Sequence, residues 1–374
     1  MTQPSRKVAV FFDEIPFLGN PDGGIARAAV ELAEALADQA VPVMAMGFRK
    51  SCFLEAHFRA RSTCQWCLLP WSFRKSAWIR TSLRRAFFMV FTLCRHRRYQ
   101  IVYHAVGVAS DPWIARRADL HVVTIHDLIP ERLDPPGHQN KTSAVFQRRE
   151  SLRTAQGLIW VSKKTQREFR RFYPRQRLPG QVIFHGRPKR FLPTKRRARQ
   201  KHFLVVGNRQ GYKNAILVYR ALALFSATER PSLQLVGGER PSSEELRLWN
   251  DLRIARWIRW TKCSEKELGE MYTKAIAVVV PSTVEGFGFP ALEAMTYGRA
   301  VICLKYSGVD ELVQKTGLVL KSASPAILFK AMKFLIKKSQ RQRLEKKAAR
   351  KAAEFDWVNT SLKTRSFYNR LLKK

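Results

Sequence analysis

Two carboxylates eight positions apart, with a glycine turn between them, are the most chemically suggestive feature of this 374-residue chain. They lie in Pro281-Ser282-Thr283-Val284-Glu285-Gly286-Phe287-Gly288-Phe289-Pro290-Ala291-Leu292-Glu293-Ala294-Met295, which follows a strand-like apolar run and opens a helix. Gly286 and Gly288 allow close backbone approach to a ligand, and N–H groups at a helix start favour anions or hydroxyls. Glu285 and Glu293 could accept hydrogen bonds from sugar or ribose hydroxyls; the competing reading is that they only cap and solvate the helix. A second cluster is Gly207-Asn208-Arg209-Gln210-Gly211-Tyr212-Lys213-Asn214, where Arg209 and Lys213 stand at the mouth of another helix. Two such cations suit a phosphate, although in a chain with 68 basic residues a cationic loop is common. His126 ends the apolar run Leu120 to Ile125, a position where a packed or capped histidine competes with a functional one. Gly23-Gly24 precedes an apolar-periodic helix, either to bring that helix close to phosphates or as an ordinary tight turn. Of the six cysteines, Cys64-Gln-Trp-Cys67 is the one pair spaced for a half zinc site or a redox couple. It has no second CxxC and no His pair beside it, so structural thiols are the expectation.

These residues must be held by alternating strands and helices. Lys7 to Phe12 reads as a buried strand, Gly24 to Gln39 as a helix and Val41 to Met46 as the next strand. The rhythm repeats at Ile101 to Tyr103, Leu120 to Ile125, Leu158 to Val161 and Val182 to Phe184. Between Gly186 and Lys201 come two prolines, eight basic residues and no acid, which reads as a linker. A second strand-first unit follows, with strands near Phe203 to Val206, Leu233 to Val236, Ala277 to Val280 and Ala300 to Leu304. The expected fold class is α/β with parallel sheets covered on both faces. The expected domains are 1–186, a basic linker at 187–201, 202–354, and a C-terminal helix over 355–374 that returns to the first domain. Two such domains would place ligands in a cleft at the carboxyl ends of their strands.

The glutamate stretch resembles the family 4 retaining glycosyltransferases, whose hallmark is an E-x7-E motif of the form PSxxEGFGxPxxEAMxxG. Glu285, Gly286, Phe287, Gly288, Pro290, Glu293, Ala294, Met295 and Gly298 fall on that pattern. Gly23-Gly24-Ile25-Ala26-Arg27 looks like the family's glycine loop opposite the donor. Thr124-Ile125-His126-Asp127-Leu128-Ile129-Pro130 is similar to the HDLxP segment of the subgroup containing bacterial mannosyltransferases. Val161-Ser162, the GxRxxYKN-like loop at Gly207 to Asn214, the helix from Ser264 to Tyr272, and Phe355-Asp356-Trp357 also match in order. Two departures are His185-Gly186 where Asn-Gly is common, and Ser307 to Glu311 where a Pro-Glu pair is usual.

The resemblance implies a GT-B fold, two Rossmann-like domains with a GDP- or UDP-linked sugar as donor substrate and no separate cofactor. It implies that Glu285 binds donor-sugar hydroxyls, Glu293 the ribose hydroxyls, and that His126 faces the sugar near the reacting centre. Arg209 and Lys213 would stabilise the charge that develops on the departing diphosphate. Gly23, Gly24, Gly286, Phe287 and Gly288 would line the donor. Retention in this family is thought to need no enzymic nucleophile. No two aspartates stand two apart, so the DxD metal motif of the other major glycosyltransferase fold is missing and metal-independent transfer is expected.

With 45% hydrophobic residues the chain can build large cores, and its net charge of +39 points to a polyanionic partner. From Ala56 to Ser110 there is no acid, while Arg59, Arg61, Arg74, Lys75, Arg80, Arg84, Arg85, Arg95, Arg97 and Arg98 alternate with Trp66, Trp71, Phe73, Trp78, Phe87, Phe88 and Phe91. Such a segment suits an anionic membrane face, unless its aromatics are core and its arginines a solvated surface. The apolar run Ala86 to Cys94 is too short to span a bilayer. Met1 to Arg6 does not read as a signal peptide. The expectation is a cytoplasmic enzyme, peripheral on the inner membrane face, acting on a lipid-linked or cell-surface saccharide. The rival classes are a basic nucleic-acid-binding protein, for which no zinc-finger, RRM or KH pattern is found, and a scaffold on a degenerate version of the same fold.

Overall fold

Seven parallel strands build the first sheet: β1 (Lys7–Phe12), β2 (Val43–Phe48), β3 (Cys64–Leu69), β4 (Tyr99–Ala105), β5 (Leu120–Ile125), β6 (Gly157–Trp160) and β7 (Gly180–Val182). Their order is β3-β2-β1-β4-β5-β6-β7, with Val10 in register with Val43 on one side and Val102 on the other. Parallel strands need crossover connections, and α1 (Gly24–Ala37), α2 (Ala77–Arg95), α3 (Ala144–Thr154) and α4 (Lys163–Phe172) lie among them. β1 shows why the strands read as unbroken apolar runs: Val8 to Phe12 are all buried, because helices cover both faces. On α1 the buried residues include Ala26, Ala28, Ala29, Ala33 and Ala35, small side chains that let the helix lie close on the sheet.

In this computed structural model residues 7–18, 23–48, 64–133, 144–188 and 202–373 are described. The chain divides into two units, Met1–Gly186 with Asp356–Lys374, and Arg187–Phe355. Most of the basic linker (189–201), and Gly19, Pro21, Arg59 and Arg61, lie outside the described residues.

The second unit repeats the plan. It contains β8 (His202–Val206), α5 (Ala215–Ala223), β9 (Ser232–Val236), α6 (Ser243–Asp251), β10 (Ile258–Thr261), α7 (Glu265–Lys274), β11 (Ala277–Val280), α8 (Phe289–Thr296), β12 (Ala300–Leu304), β13 (Leu318–Leu320), α9 (Pro325–Ile336) and α10 (Lys338–Ala352). All pairings in the order β10-β9-β8-β11-β12-β13 are parallel. Ser264 caps α7, and Glu267 reaches back to the Ser264 N–H. The strand order reverses between β1 and β4 in one sheet and between β8 and β11 in the other, the switch points at which such sheets bind ligands.

The last helix, α11 (Trp357–Leu372), belongs to the first unit. Trp357, Phe367 and Tyr368 are buried there, the Tyr368 hydroxyl lies 2.6 Å from His104 Nδ1, and Thr360 donates to the Phe184 carbonyl at 2.8 Å. A Cβ on Gly186 would stand 2.5 Å from the Trp357 nitrogen, so this glycine is required by packing.

Two segments singled out in the sequence take definite places in the fold. The Cys64-Gln-Trp-Cys67 segment is part of edge strand β3, and burial raises the Cys67 thiol, the reverse of what a redox thiolate needs. In the basic aromatic segment, Phe88 and Phe91 of α2 are core residues whose rings sit 5.3 and 6.1 Å from Phe11. Arg84 is buried as well. Trp78 of the same helix is 79% exposed, so the aromatics of this segment divide between core and surface.

Candidate functional site

The switch point of the second unit is made by two loops. After β8 the chain turns through Gly207 (φ +102°) and Gly211 (φ +55°) to reach Lys213 and Asn214. After β11 it runs through Pro281 to Gly288, where φ of +92° starts α8. A side chain at Gly288 would meet both that dihedral and Val309 Cγ2 at 2.7 Å, so this turn is glycine-specific. The loops are tied by backbone bonds: Thr283 N–H donates to the Tyr212 carbonyl at 2.9 Å, and Glu285 N–H to the Ser307 carbonyl at 2.5 Å. That geometry brings Lys213 Nζ to 2.7 Å from Glu285 Oε1. The pair is part-exposed, at 26% and 14% of side-chain area, so a ligand can reach it. It offers a cation for a phosphate oxygen and an acceptor for a hydroxyl within one hydrogen bond of each other.

Glu293, in the second turn of α8, is 6% exposed and accepts the Tyr272 hydroxyl at 2.5 Å. Tyr272 in turn stacks on Tyr297, ring centroids 5.4 Å apart. Phe287 is 5% exposed and packs edge-on to Phe289 and Phe355, so its side chain builds the turn from behind. Gly286 lies between the two, next to Glu285.

Arg209 is not aimed outward with Lys213. Its guanidinium is 5% exposed and bonds Glu245 twice, at 2.9 and 3.0 Å, the Gly237 carbonyl at 3.1 Å and the Glu239 carbonyl at 2.7 Å. Burial would raise the Glu245 carboxyl, but hydrogen bonds from Arg209 and Tyr219 hold it below its ordinary value. Arg209 therefore straps the loop after β8 to the loop after β9, and its charge is largely answered inside the protein. The sequence gives no sign of this partner, which lies 36 residues further on. Glu245, Tyr219 and Tyr272 are not singled out as site residues by the sequence. Only Glu245 had a visible signal, as the third residue after Ser242 in a capping box, and that signal concerns the helix.

In the first unit His126 follows β5 and is half-buried. Its Nε2 lies 2.8 Å from the Val106 carbonyl and its Nδ1 3.4 Å from His185 Nε2. The carbonyl can only accept, so Nε2 carries the proton, Nδ1 is the acceptor, and His185 donates. Burial depresses His126 to about 4, keeping it neutral near pH 7. The ring stacks on His185 at 5.3 Å, and His185 packs on Trp357 at 5.6 Å. This is how His185, in place of the usual asparagine, is accommodated. Asp127 accepts the Ile129 N–H at 3.0 Å and so caps the following turn. Gly23 is the N-cap of α1 with extended backbone (φ −81°, ψ 170°), and Gly24 is the first helical residue. No left-handed conformation is needed at Gly23, and its lack of a side chain leaves the helix start uncovered.

Residues 22–190 match the model of Glycosyltransferase Family 4, and residues 187–352 that of Glycosyl transferases group 1. The chain belongs to the family 4 glycosyltransferases and is a glycosyltransferase with the GT-B fold. It is similar to O-antigen chain mannosyltransferase B of Escherichia coli, 26% identical over 292 residues that cover 72% of this chain and 74% of that protein. Among solved structures it resembles the sucrose-phosphate synthase of Thermosynechococcus elongatus, with a TM-score of 0.75 at 19% identity, covering 98% of this chain and all of that one. Anabaena HepE in complex with UDP-glucose gives 0.73 at 18% identity, covering 98% and 100%.

Proposed function

We propose that the chain transfers a hexose, mannose by preference, from a GDP- or UDP-linked donor to a saccharide acceptor, with retention and without a metal ion. The observation that carries this reading is the Lys213–Glu285 pair at the switch point of the second unit. As the glycosidic bond breaks, negative charge grows on the departing diphosphate, and Lys213 is the cation placed to meet it. Glu285 takes the donor-sugar hydroxyls, Glu293 the ribose hydroxyls, and Gly286 and Gly288 let the sugar come close to the start of α8. Arg209 holds the Gly207 turn in place. In the first unit His126 is the proposed sugar contact, made by exchanging one of its present hydrogen-bond partners for a sugar hydroxyl. The glycine start of α1, at Gly23 and Gly24, is the proposed approach to the phosphates.

Mannose is favoured by the likeness to a mannosyltransferase, while HepE is a relative in fold whose bound donor is UDP-glucose. A relative that works on O-antigen chains supports a lipid-linked or cell-surface saccharide as acceptor. The acid-free stretch from Ala56 to Ser110 supports a place on the inner face of the cytoplasmic membrane.

The test is a panel of nucleotide sugars scored by thermal shift, because a bound donor raises the melting temperature by mass action. GDP-mannose should give the largest shift, and turnover of the selected donor should persist in a chelator. Glu285→Gln should lower kcat by about 100-fold or more, as loss of an interaction with the reacting sugar does, with the melting temperature of the free protein little changed. Full activity of this variant would remove Glu285 from the site.

A further inference from the structure

The turn after β12 carries an aromatic side chain that packing does not explain. It runs Lys305-Tyr306-Ser307-Gly308-Val309, and Ser307, Gly308 and Val309 are buried while Lys305 and Tyr306 stand in solvent. Tyr306 is 70% exposed. Its backbone lies in the left-handed region, with φ of +62°, where the Cβ of a bulky residue is crowded by the neighbouring carbonyl. Burial does not offset that strain, because the ring gains little contact inside the fold. Strained residues of this kind concentrate at ligand sites, where the surrounding structure holds them in place.

The turn is built to hold Tyr306 in this conformation. Asp310 accepts the Tyr306 N–H on Oδ2 and the Gly308 N–H on Oδ1, both at 3.0 Å. On either side, the Lys305 N–H donates to the Leu320 carbonyl at 2.8 Å, and the Ser307 hydroxyl donates to the Leu304 carbonyl at 2.7 Å. Lys305 Nζ lies 4.7 Å from the centre of the Tyr306 ring, a cation over one face. Bonds before, at and after Tyr306 thus fix its backbone, and the exposure of the ring leaves its other face to solvent.

What the ring stands beside decides what it can bind. Ser307, the next residue, takes the Glu285 N–H on its carbonyl at 2.5 Å, and Val309 lies against the Gly288 turn, where an added Cβ would meet its Cγ2 at 2.7 Å. Tyr306 therefore belongs to the same loop cluster as Glu285, the carboxylate proposed for the donor-sugar hydroxyls. A pyranose carries hydroxyls at its rim and C–H groups on its faces. A carboxylate accepts from the rim, while a flat aromatic ring covers a C–H face and removes apolar area of both from water. We propose that Tyr306 is the stacking platform for the hexose ring of the nucleotide-sugar donor, preset for that contact by the left-handed turn that Asp310 pins. The proposal deepens the donor reading given above and rests on it.

The experiment titrates the full chain with GDP-mannose, GDP, UDP-glucose and UDP, reading affinity from the thermal shift. Each variant is scored by how it treats a nucleotide sugar relative to the bare diphosphate. Tyr306→Ala should weaken the nucleotide sugar that the wild type prefers by about fivefold, the size of an ordinary aromatic contact, and leave the matching diphosphate unchanged. Tyr306→Phe should keep the wild-type affinity, because stacking needs the ring and not the hydroxyl. Tyr306→Gly relieves the left-handed strain, so it should melt no lower than the wild type and still lose the same affinity as Tyr306→Ala. That variant also keeps the test decisive if Tyr306→Ala does not fold. Equal losses for sugar and diphosphate would move the ring's role to the base or the phosphates, or to the fold, and overturn the proposal. Unchanged sugar affinity in Tyr306→Gly would overturn it too. A wild type shifted by none of the four ligands defeats the donor reading itself, whereas donor binding that survives every variant defeats the stacking alone.

Discussion

At the scale of single residues, the site rests on one exposed ion pair and one buried strap. Lys213 and Glu285 meet at 2.7 Å in a part-exposed position, where a ligand can replace either partner. Arg209 is held by Glu245 and two backbone carbonyls, so replacing its partner should disturb the loop more than the charge at the reacting centre. Glu245→Gln is expected to lose about 1–3 kcal/mol of stability, the usual range for a charged hydrogen-bonded group. The KM for the donor should rise several-fold while kcat changes little. A collapse of kcat at unchanged melting temperature would restore Arg209 to a direct role in stabilising the leaving group. The places of Glu285 before α8 and of Glu293 within it were legible from the glycine-acid spacing, a local property of the chain. Tyr272 was not, since the partner of a buried carboxylate is chosen by packing.

At the scale of elements, the strand-to-helix turn before α8 decides where Glu285 points. Gly288 combines φ of +92° with a would-be Cβ only 2.7 Å from Val309 Cγ2. Gly288→Ala should therefore cost about 1–3 kcal/mol in backbone strain, and should weaken donor binding in a thermal-shift titration. If donor affinity and unfolding midpoint both matched the wild type, the turn would not be what places the site. The strands were legible as apolar runs because a parallel sheet covered on both faces leaves no polar alternation. Helix α2 was not legible in its orientation. A segment rich in both arginine and aromatics satisfies either facing, and Glu14 and Asp111, outside that segment, draw the arginines inward.

At the scale of the whole molecule, buried histidines tie stability to pH. His104 is depressed to about 3, and His121 and His126 to about 4, by burial first, and His185 and His202 are also lowered. Each is neutral in the folded chain but protonated in the unfolded chain below about pH 6.5. The unfolded state thus binds more protons between about pH 4 and 6.5, so this contribution is complete above that window and is lost as pH falls through it. Asp13, raised to about 7 by burial, and Glu14, also raised, act in the opposite sense over the same range. Five groups against two leave a net loss, and the melting temperature should drop between pH 7 and pH 5 in scanning calorimetry. A flat or rising profile would contradict the neutral histidine core.

The sequence by itself determined the α/β class, the parallel sheets, and the location of the glycine-containing loops after β8 and β11, because hydrophobic period and glycine-acid spacing are local properties of the chain. Tertiary structure alone decided that Lys213 meets Glu285 across 72 residues, that Arg209 turns to Glu245, that His126 rests on His185, and that α2 buries Phe88 and Phe91 but exposes Trp78. The reason is that hydrogen bonds and ion pairs between distant positions carry no periodic signal, and which of several candidate partners a charged side chain takes depends on what folding buries beside it.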